Sequence, residues 1–257
     1  TLFLGLLGSL QKNSSSLEFR TQDTNERFWA VALPLPLITL AILGFATIYN
    51  VYPAEYYMQK AIKLLNSNAQ ESYNYQLKAI KLNPHRSNYY NVFAQTNLMI
   101  AKSLLKQENA TSENSETAKK ETVTIAQKLI SIALNASKTS TEQINPLNPV
   151  NWEIRAEIYK AIAGIAKDAN QWAIKSTESA IQLDPTNPRL RMDLGGIYYT
   201  QEDYPTAENY FRQAINLKPD YANAYYNFAQ AAIKLEDYIS AKRALELAAT
   251  LVDKDSK

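Results

Sequence analysis

Hydrophobic and polar residues are arranged in two unlike ways along this chain. From Phe28 to Asn50, FWAVALPLPLITLAILGFATIYN, no charged residue occurs. About 20 apolar residues rising 1.5 Å each cross a hydrocarbon core of roughly 30 Å. The stretch 28–50 is therefore predicted to be a transmembrane helix, with a buried core helix as the alternative. Trp29 near one end, and Tyr49 and Tyr52 near the other, suit the two interfacial belts. Pro34 and Pro36 are expected to kink the helix, which packed neighbours in a membrane can accommodate. Residues 1–10, TLFLGLLGSL, are apolar but too short to span. They read as the end of a truncated transmembrane helix; the rival is a secretory signal, whose basic n-region is missing. The polar stretch 11–27 reads as a loop in solvent.

After residue 50 the apolar period becomes helical. Tyr56, Ala61, Leu64 and Leu65 line one helix, and Tyr73, Leu77, Ala79, Ile80 and Leu82 a second that ends at Asn83-Pro84. A helix from about Ser87 to about Lys106 carries Tyr90, Phe93, Ala94, Leu98 and Ala101. Its partner carries Val123, Ala126, Leu129, Ile130, Ala133 and Leu134. Between them, QENATSENSETAKK over 107–120 has too little apolar surface to fold alone and is expected to be a mobile loop. Trp152, Ala156 and Tyr159 open the next pair, closed by Trp172, Ala173, Ala180, Ile181 and Leu183. The spacing from Tyr159 to Ala173 is long and is read as a lengthening of both paired helices. Tyr225, Phe228, Ala229, Tyr238, Ala241, Leu245, Ala248 and Leu251 line the last pair, and DKDSK is expected to fray.

One helix ending recurs: AIKLNP at 79–84, AIQLDP at 180–185 and AINLKP at 214–219. Three copies point to an internal repeat. The fullest unit is 188–219, with Leu194-Gly195, Tyr198, Tyr204, Ala207, Phe211, Ala214, Leu217 and Pro219 in order. This spacing resembles the tetratricopeptide repeat, a helix–turn–helix unit of about 34 residues. Arg191 stands where the pattern has Trp. The small Gly195 and Ala207 suit the close approach of two helices, and the large Tyr198 and Phe211 fill the gap to neighbouring pairs. Pro219 stops the second helix, because it lacks an N–H and disfavours helix in the residue before it. The resemblance covers about residues 53–251. It implies an all-α fold in which the transmembrane helix is followed, over 51–257, by a right-handed α-solenoid of antiparallel helix pairs.

Composition narrows the chemistry. Lys and Arg number 27 against 25 Asp and Glu, which argues against a general nucleic-acid binder. No Cys is present, so disulfides and thiolate metal sites are excluded. His85 is the one His and sits in a turn beside Pro84, where a solvated ring is expected. No Gly-rich phosphate loop and no two-His metal spacing occurs. Glu153 and Glu157 lie four apart on one helix, as a paired acid and base could, but read better as a solvated face. The sequons at Asn13, Asn109 and Asn135 matter only in a eukaryotic secretory setting. The fragment is expected not to be an enzyme and to use no cofactor or metal.

A solenoid of helix pairs offers a groove lined by the first helix of each pair. The groove residues expected from the register are Asn88, Asn91 and Gln95, then Glu153, Glu157 and Lys160. They continue with Arg189, Met192 and Tyr199, then Asn223, Tyr226, Asn227, Gln230 and Lys234. Asn and Gln both donate and accept hydrogen bonds and can hold a peptide backbone. The paired Lys and Asn of repeats that clamp a C-terminal carboxylate are missing, which disfavours a chaperone-tail receptor. The order of an apolar span, NPVNWEIRAEIY and DANQWAIKSTESAIQLDPTNPRLRMDLGGIYY resembles the C-terminal region of bacterial polytopic membrane proteins similar to O-antigen ligases and polymerases. Three readings follow. The first is a membrane-anchored scaffold binding a protein or peptide, as the docking module of a cell-envelope protein. The second is the tail of a glycan-assembly enzyme whose catalytic membrane portion lies elsewhere. The third is an anchor in secretion or pilus assembly. Lys12, Arg20 and Arg27 precede the span and no basic residue follows it before Lys60, so the positive-inside bias favours an extracytoplasmic repeat domain.

Overall fold

The computed structural model describes residues 32, 34–110, 116–164 and 166–255. The expectations for 1–10, 11–27 and the opening residues of 28–50, Trp29 among them, lie outside these. The chain divides into two compact units, Thr1–Val51 and Tyr52–Lys257.

Helix α1 is Pro34–Leu64. Its apolar side chains up to Tyr52 are open: Leu37 is 69% exposed, Phe45 75% and Ile48 66%. By length and composition alone the helix could cross a membrane. The kink expected at Pro34 and Pro36 concerns the turn before Pro34, most of which lies outside the described residues. Pro53 lies inside α1.

The second unit is a series of paired helices. The part of α1 beyond Tyr52 pairs with α2, Ala69–Leu82. Ala54, Met58, Ala79 and Tyr89 form their shared core, and the Ser72 hydroxyl donates to the Ala61 carbonyl at 2.8 Å. Next come α3, Ser87–Ala110, and α4, Glu116–Lys138. Then follow α5, Pro149–Ala161, with α6, Ala169–Leu183; α7, Pro188–Thr200, with α8, Tyr204–Leu217; and α9, Ala222–Lys234, with α10, Tyr238–Asp255. Contacts run within each of these pairs and from the second helix of one pair to the first helix of the next.

The recurring string explains the repeated ends. Asn83, Asp184 and Lys218 each donate a backbone N–H to Ala79, Ala180 and Ala214, at 3.0, 2.9 and 3.0 Å. These three alanines are fully buried, and the proline that follows each cap cannot extend the helix. New first helices open on Asn-Pro: Asn148 and Asn187 accept from the N–H of Val150 and Arg189, with Pro149 and Pro188 at the first helical position.

Two expectations need correction. Helix occupies 107–110 and 116–120 of the segment read as a loop, leaving 111–115 outside the described residues. Helical hydrogen bonds need no buried face, so both helices run past their packing stripes. The extra residues between Tyr159 and Ala173 do not lengthen α5, which has 13 residues like α7. Described residues 162–164 and 166–168 lie in the connection to α6, which closes on Asp168 in the left-handed region at φ 61°. In addition, α4 continues into a π-helical segment, Thr139–Ile144, that the apolar pattern gave no sign of.

Candidate partner-binding surface

The first helices α3, α5, α7 and α9 share a register, so equivalent residues can be followed from pair to pair. The fifth residues are Asn91, Glu153, Met192 and Tyr226. Three of them are taken up by the next pair. Asn91 is 2% exposed; its amide donates to Asn151 Oδ1 at 2.7 Å and its oxygen accepts from the Ser140 hydroxyl at 2.8 Å. Glu153 forms an ion pair with Arg189. Met192 packs against the cluster of Ala207, Phe211 and Ala231. Asn91 is thus a buried structural residue and not a groove contact. The register points this position at the neighbouring first helix, where a polar side chain must find a partner. Tyr226, in the last described pair, is 52% exposed.

The ninth residues behave differently. Gln95 and Glu157 are exposed, and Gly196 and Gln230 are half-buried, so this row faces outward on all four helices. Other expected residues fall around it. Asn88 and Asn223 are exposed. The Asn227 amide donates to the Asn223 carbonyl at 2.7 Å. Tyr199 meets Tyr204 edge-on with ring centroids 5.3 Å apart, and the Lys234 ammonium lies 5.9 Å from the Tyr204 ring. Lys160 Nζ is 3.4 Å from Asp193, which also pairs with Arg189 at 3.6 Å.

Two depressions accompany these residues. One, of about 200 Å³, is lined by Lys160, Ala163, Asn170, Met192, Asp193, Gly196, Ile197 and Thr200. The other, of about 450 Å³, lies between α9 and α10, lined by Asn223, Tyr226, Leu245 and Val252 among others. The structure therefore separates the expected residues into at least two places: Lys160 with Met192, and Asn223 with Tyr226. The sequence reading passed over Gly196, Asp193 and Asn170. A second glycine beside Gly195, where the repeat pattern asks for one, was the available signal.

A buried polar cluster was also missed. Arg155 occupies the register position of Leu194 and is 3% exposed. Its guanidinium donates to Thr141 Oγ1 at 3.0 Å and pairs with Glu142 at 2.6 Å. Trp152, Tyr159 and Trp172 surround it at 5.4 to 5.9 Å, within cation–π range. Asn151 donates to the carbonyls of Ser140 and Asn145 at 3.1 and 2.8 Å. These bonds fasten the π-helical segment to α5. They belong to the scaffold. Of the two glutamates four apart, Glu153 is held by Arg189, while Glu157 lies on the outward face. His85 is exposed in its turn.

Comparison with known proteins agrees with the repeat. Residues 198–256 match the family model described as tetratricopeptide repeat. Stress-induced-phosphoprotein 1 of Caenorhabditis elegans is 27% identical over 138 residues, 51% of this chain and 41% of that protein. Anaphase-promoting complex subunit 3 of Schizosaccharomyces pombe is 29% identical over 104 residues, 40% of this chain and 15% of its own length. The chain thus spans less than half the length of either relative. Among solved structures, MamA from Desulfovibrio magneticus RS-1 is 12% identical with TM-score 0.55, covering 80% of this chain and 98% of that one. The Pseudomonas aeruginosa pilF structure is 15% identical with TM-score 0.54, covering 78% and 77%. A thermophilic TPR protein of Thermus thermophilus is 18% identical with TM-score 0.51, covering 78% and 94%. At these identities the likeness is one of fold. The match over 198–256 and the fold of the helix pairs together support a tetratricopeptide-repeat protein.

Proposed function

We propose that this chain is a membrane-anchored interaction module that holds a protein or peptide partner along the outward row of its first helices. The observation that carries the reading is that row itself. Gln95, Glu157, Gly196 and Gln230 recur at one register position, two exposed and two half-buried and none fully buried, while Asn91, Glu153 and Met192 at the fifth position are taken up by packing. A surface that repeats from pair to pair suits an extended ligand, whose own repeat can be met residue by residue. Replacing Tyr226, Asn227 and Gln230 together by Ala is expected to abolish partner co-purification while leaving helical circular dichroism intact. Unchanged co-purification contradicts the reading.

The anchor in this proposal is the span 28–50, supported by the exposed apolar side chains of α1 up to Tyr52. The basic residues before the span favour the repeat unit on the extracytoplasmic side, as the docking region of a cell-envelope protein. The order of span and repeats also fits the tail of a polytopic protein similar to O-antigen ligases, with its chemistry elsewhere in the chain. Because the chain has no Cys, a single one at the exposed Gln127 reports sidedness. Labelling of Gln127→Cys by an impermeant maleimide in intact cells is expected; labelling only after lysis places the repeats in the cytoplasm.

A further inference from the structure

Two adjacent glycines in α7 have unlike surroundings. A Cβ on Gly195 would sit 2.6 and 2.7 Å from the Phe211 ring and 3.2 Å from the Ala207 carbonyl. Packing therefore demands that glycine. A Cβ on Gly196 would meet nothing within 4 Å, and no glycine among the described residues has positive φ. Neither packing nor backbone conformation requires Gly196, yet it sits inside a helix, where glycine is among the least favourable residues. Its open side faces the depression of about 200 Å³ between α5 and α7.

We propose that this depression is a subsite for an uncharged aliphatic side chain of a peptide partner; the proposal rests on the reading of the outward row as a peptide-binding surface. Ala163, Met192 and Ile197 supply apolar lining. The charges at its rim are already neutralised within the chain, Lys160 against Asp193 at 3.4 Å and Asp193 against Arg189 at 3.6 Å. An ionised ligand group would have to break these pairs, whereas an aliphatic group leaves them intact. The volume is below the roughly 300–1,000 Å³ of pockets for drug-sized ligands, so it fits one side chain and not a cofactor. The Asn170 amide at the edge can both donate to and accept from a peptide backbone. Gly196 is what keeps the space open.

The test is selection of a phage-displayed library of random linear nonapeptides on the full chain, followed by titration of enriched peptides against variants. Enriched peptides are expected to share Leu, Ile, Val or Met at one position, and placing Asp or Lys there weakens binding by about tenfold or more. Gly196→Leu, which has room to fold, is expected to weaken binding by about tenfold with unchanged helicity. Peptides that bind Gly196→Leu as well as the parent, but lose binding to the Tyr226, Asn227 and Gln230 triple variant, overturn this subsite and leave the wider surface standing. Enriched peptides indifferent to both variants, or no enrichment at all, overturn both.

Discussion

At the residue scale, the same amino acid does opposite things in neighbouring positions. Gly195→Ala forces a methyl into the buried Phe211 ring, which is 1% exposed and has nowhere to go. A loss of about 1–3 kcal/mol is expected from such overpacking. Gly196→Ala meets open space and removes a helix-interior glycine, so a gain of up to about 1 kcal/mol is expected. Thermal or urea unfolding of the two variants checks the contrast, and a gain in both would contradict the packing account. A second residue-scale prediction concerns pH. Glu55 accepts hydrogen bonds from the Gln59 amide at 3.0 Å and the Tyr89 hydroxyl at 2.9 Å. These hold its carboxyl below its ordinary 4.5. The Tyr89 phenol is pushed up to about 12, chiefly by burial and then by Glu55. For Glu55 the stabilisation is present above the ordinary carboxylate value and lost as pH falls through the lowered one. For Tyr89 it is present below 10 and lost as pH rises toward 12. An NMR titration following the Tyr89 ring is expected to show its midpoint near 12; a midpoint near 10 would contradict both the burial of Tyr89 and its bond to Glu55.

At the scale of elements, the repeated ends were legible because a short string dictates them. Ala-Ile, a variable residue, Leu, another variable residue and Pro bury one small side chain, cap with one backbone bond and stop the chain, three times over. The first helices were legible for the same reason, since small and large residues alternate where helices meet. What stayed hidden was which polar residues face a neighbour. Asn91 and Gln95 look alike in the sequence, four apart on one helix, but Asn91 is closed between α5 and the π-helical segment while Gln95 is open. Helical period alone does not separate them, because the deciding partners, Asn151 and Ser140, lie far along the chain. Arg155 is the same case reversed: a charge at a core position, readable only once Thr141, Glu142 and three aromatic rings are seen around it. Asn91→Ala is expected to destabilise by about 1–3 kcal/mol, because it leaves buried polar atoms of Asn151 and Ser140 without partners. Gln95→Ala, on the open row, is expected to fall within about 0.5 kcal/mol of the parent. Chemical denaturation of the two checks this, and equal effects would contradict the assigned burial.

At the scale of the whole molecule, the chain joins two designs that obey different rules. Up to Val51 the described apolar side chains are left open. Beyond it, successive helix pairs bury their stripes against one another, and the ninth-position row of α3, α5, α7 and α9 stays exposed or half-buried. The central claim is that this row is where a partner sits. The most direct measurement is photo-crosslinking in cells with the full chain, carrying a benzophenone amino acid at Gln230 or, as control, at Lys128 on the exposed face of α4. A discrete crosslinked product is expected from Gln230, lost when Tyr226 and Asn227 are replaced by Ala, with no such product from Lys128. A product from Lys128 with none from Gln230 would place the partner on the other face and contradict the account.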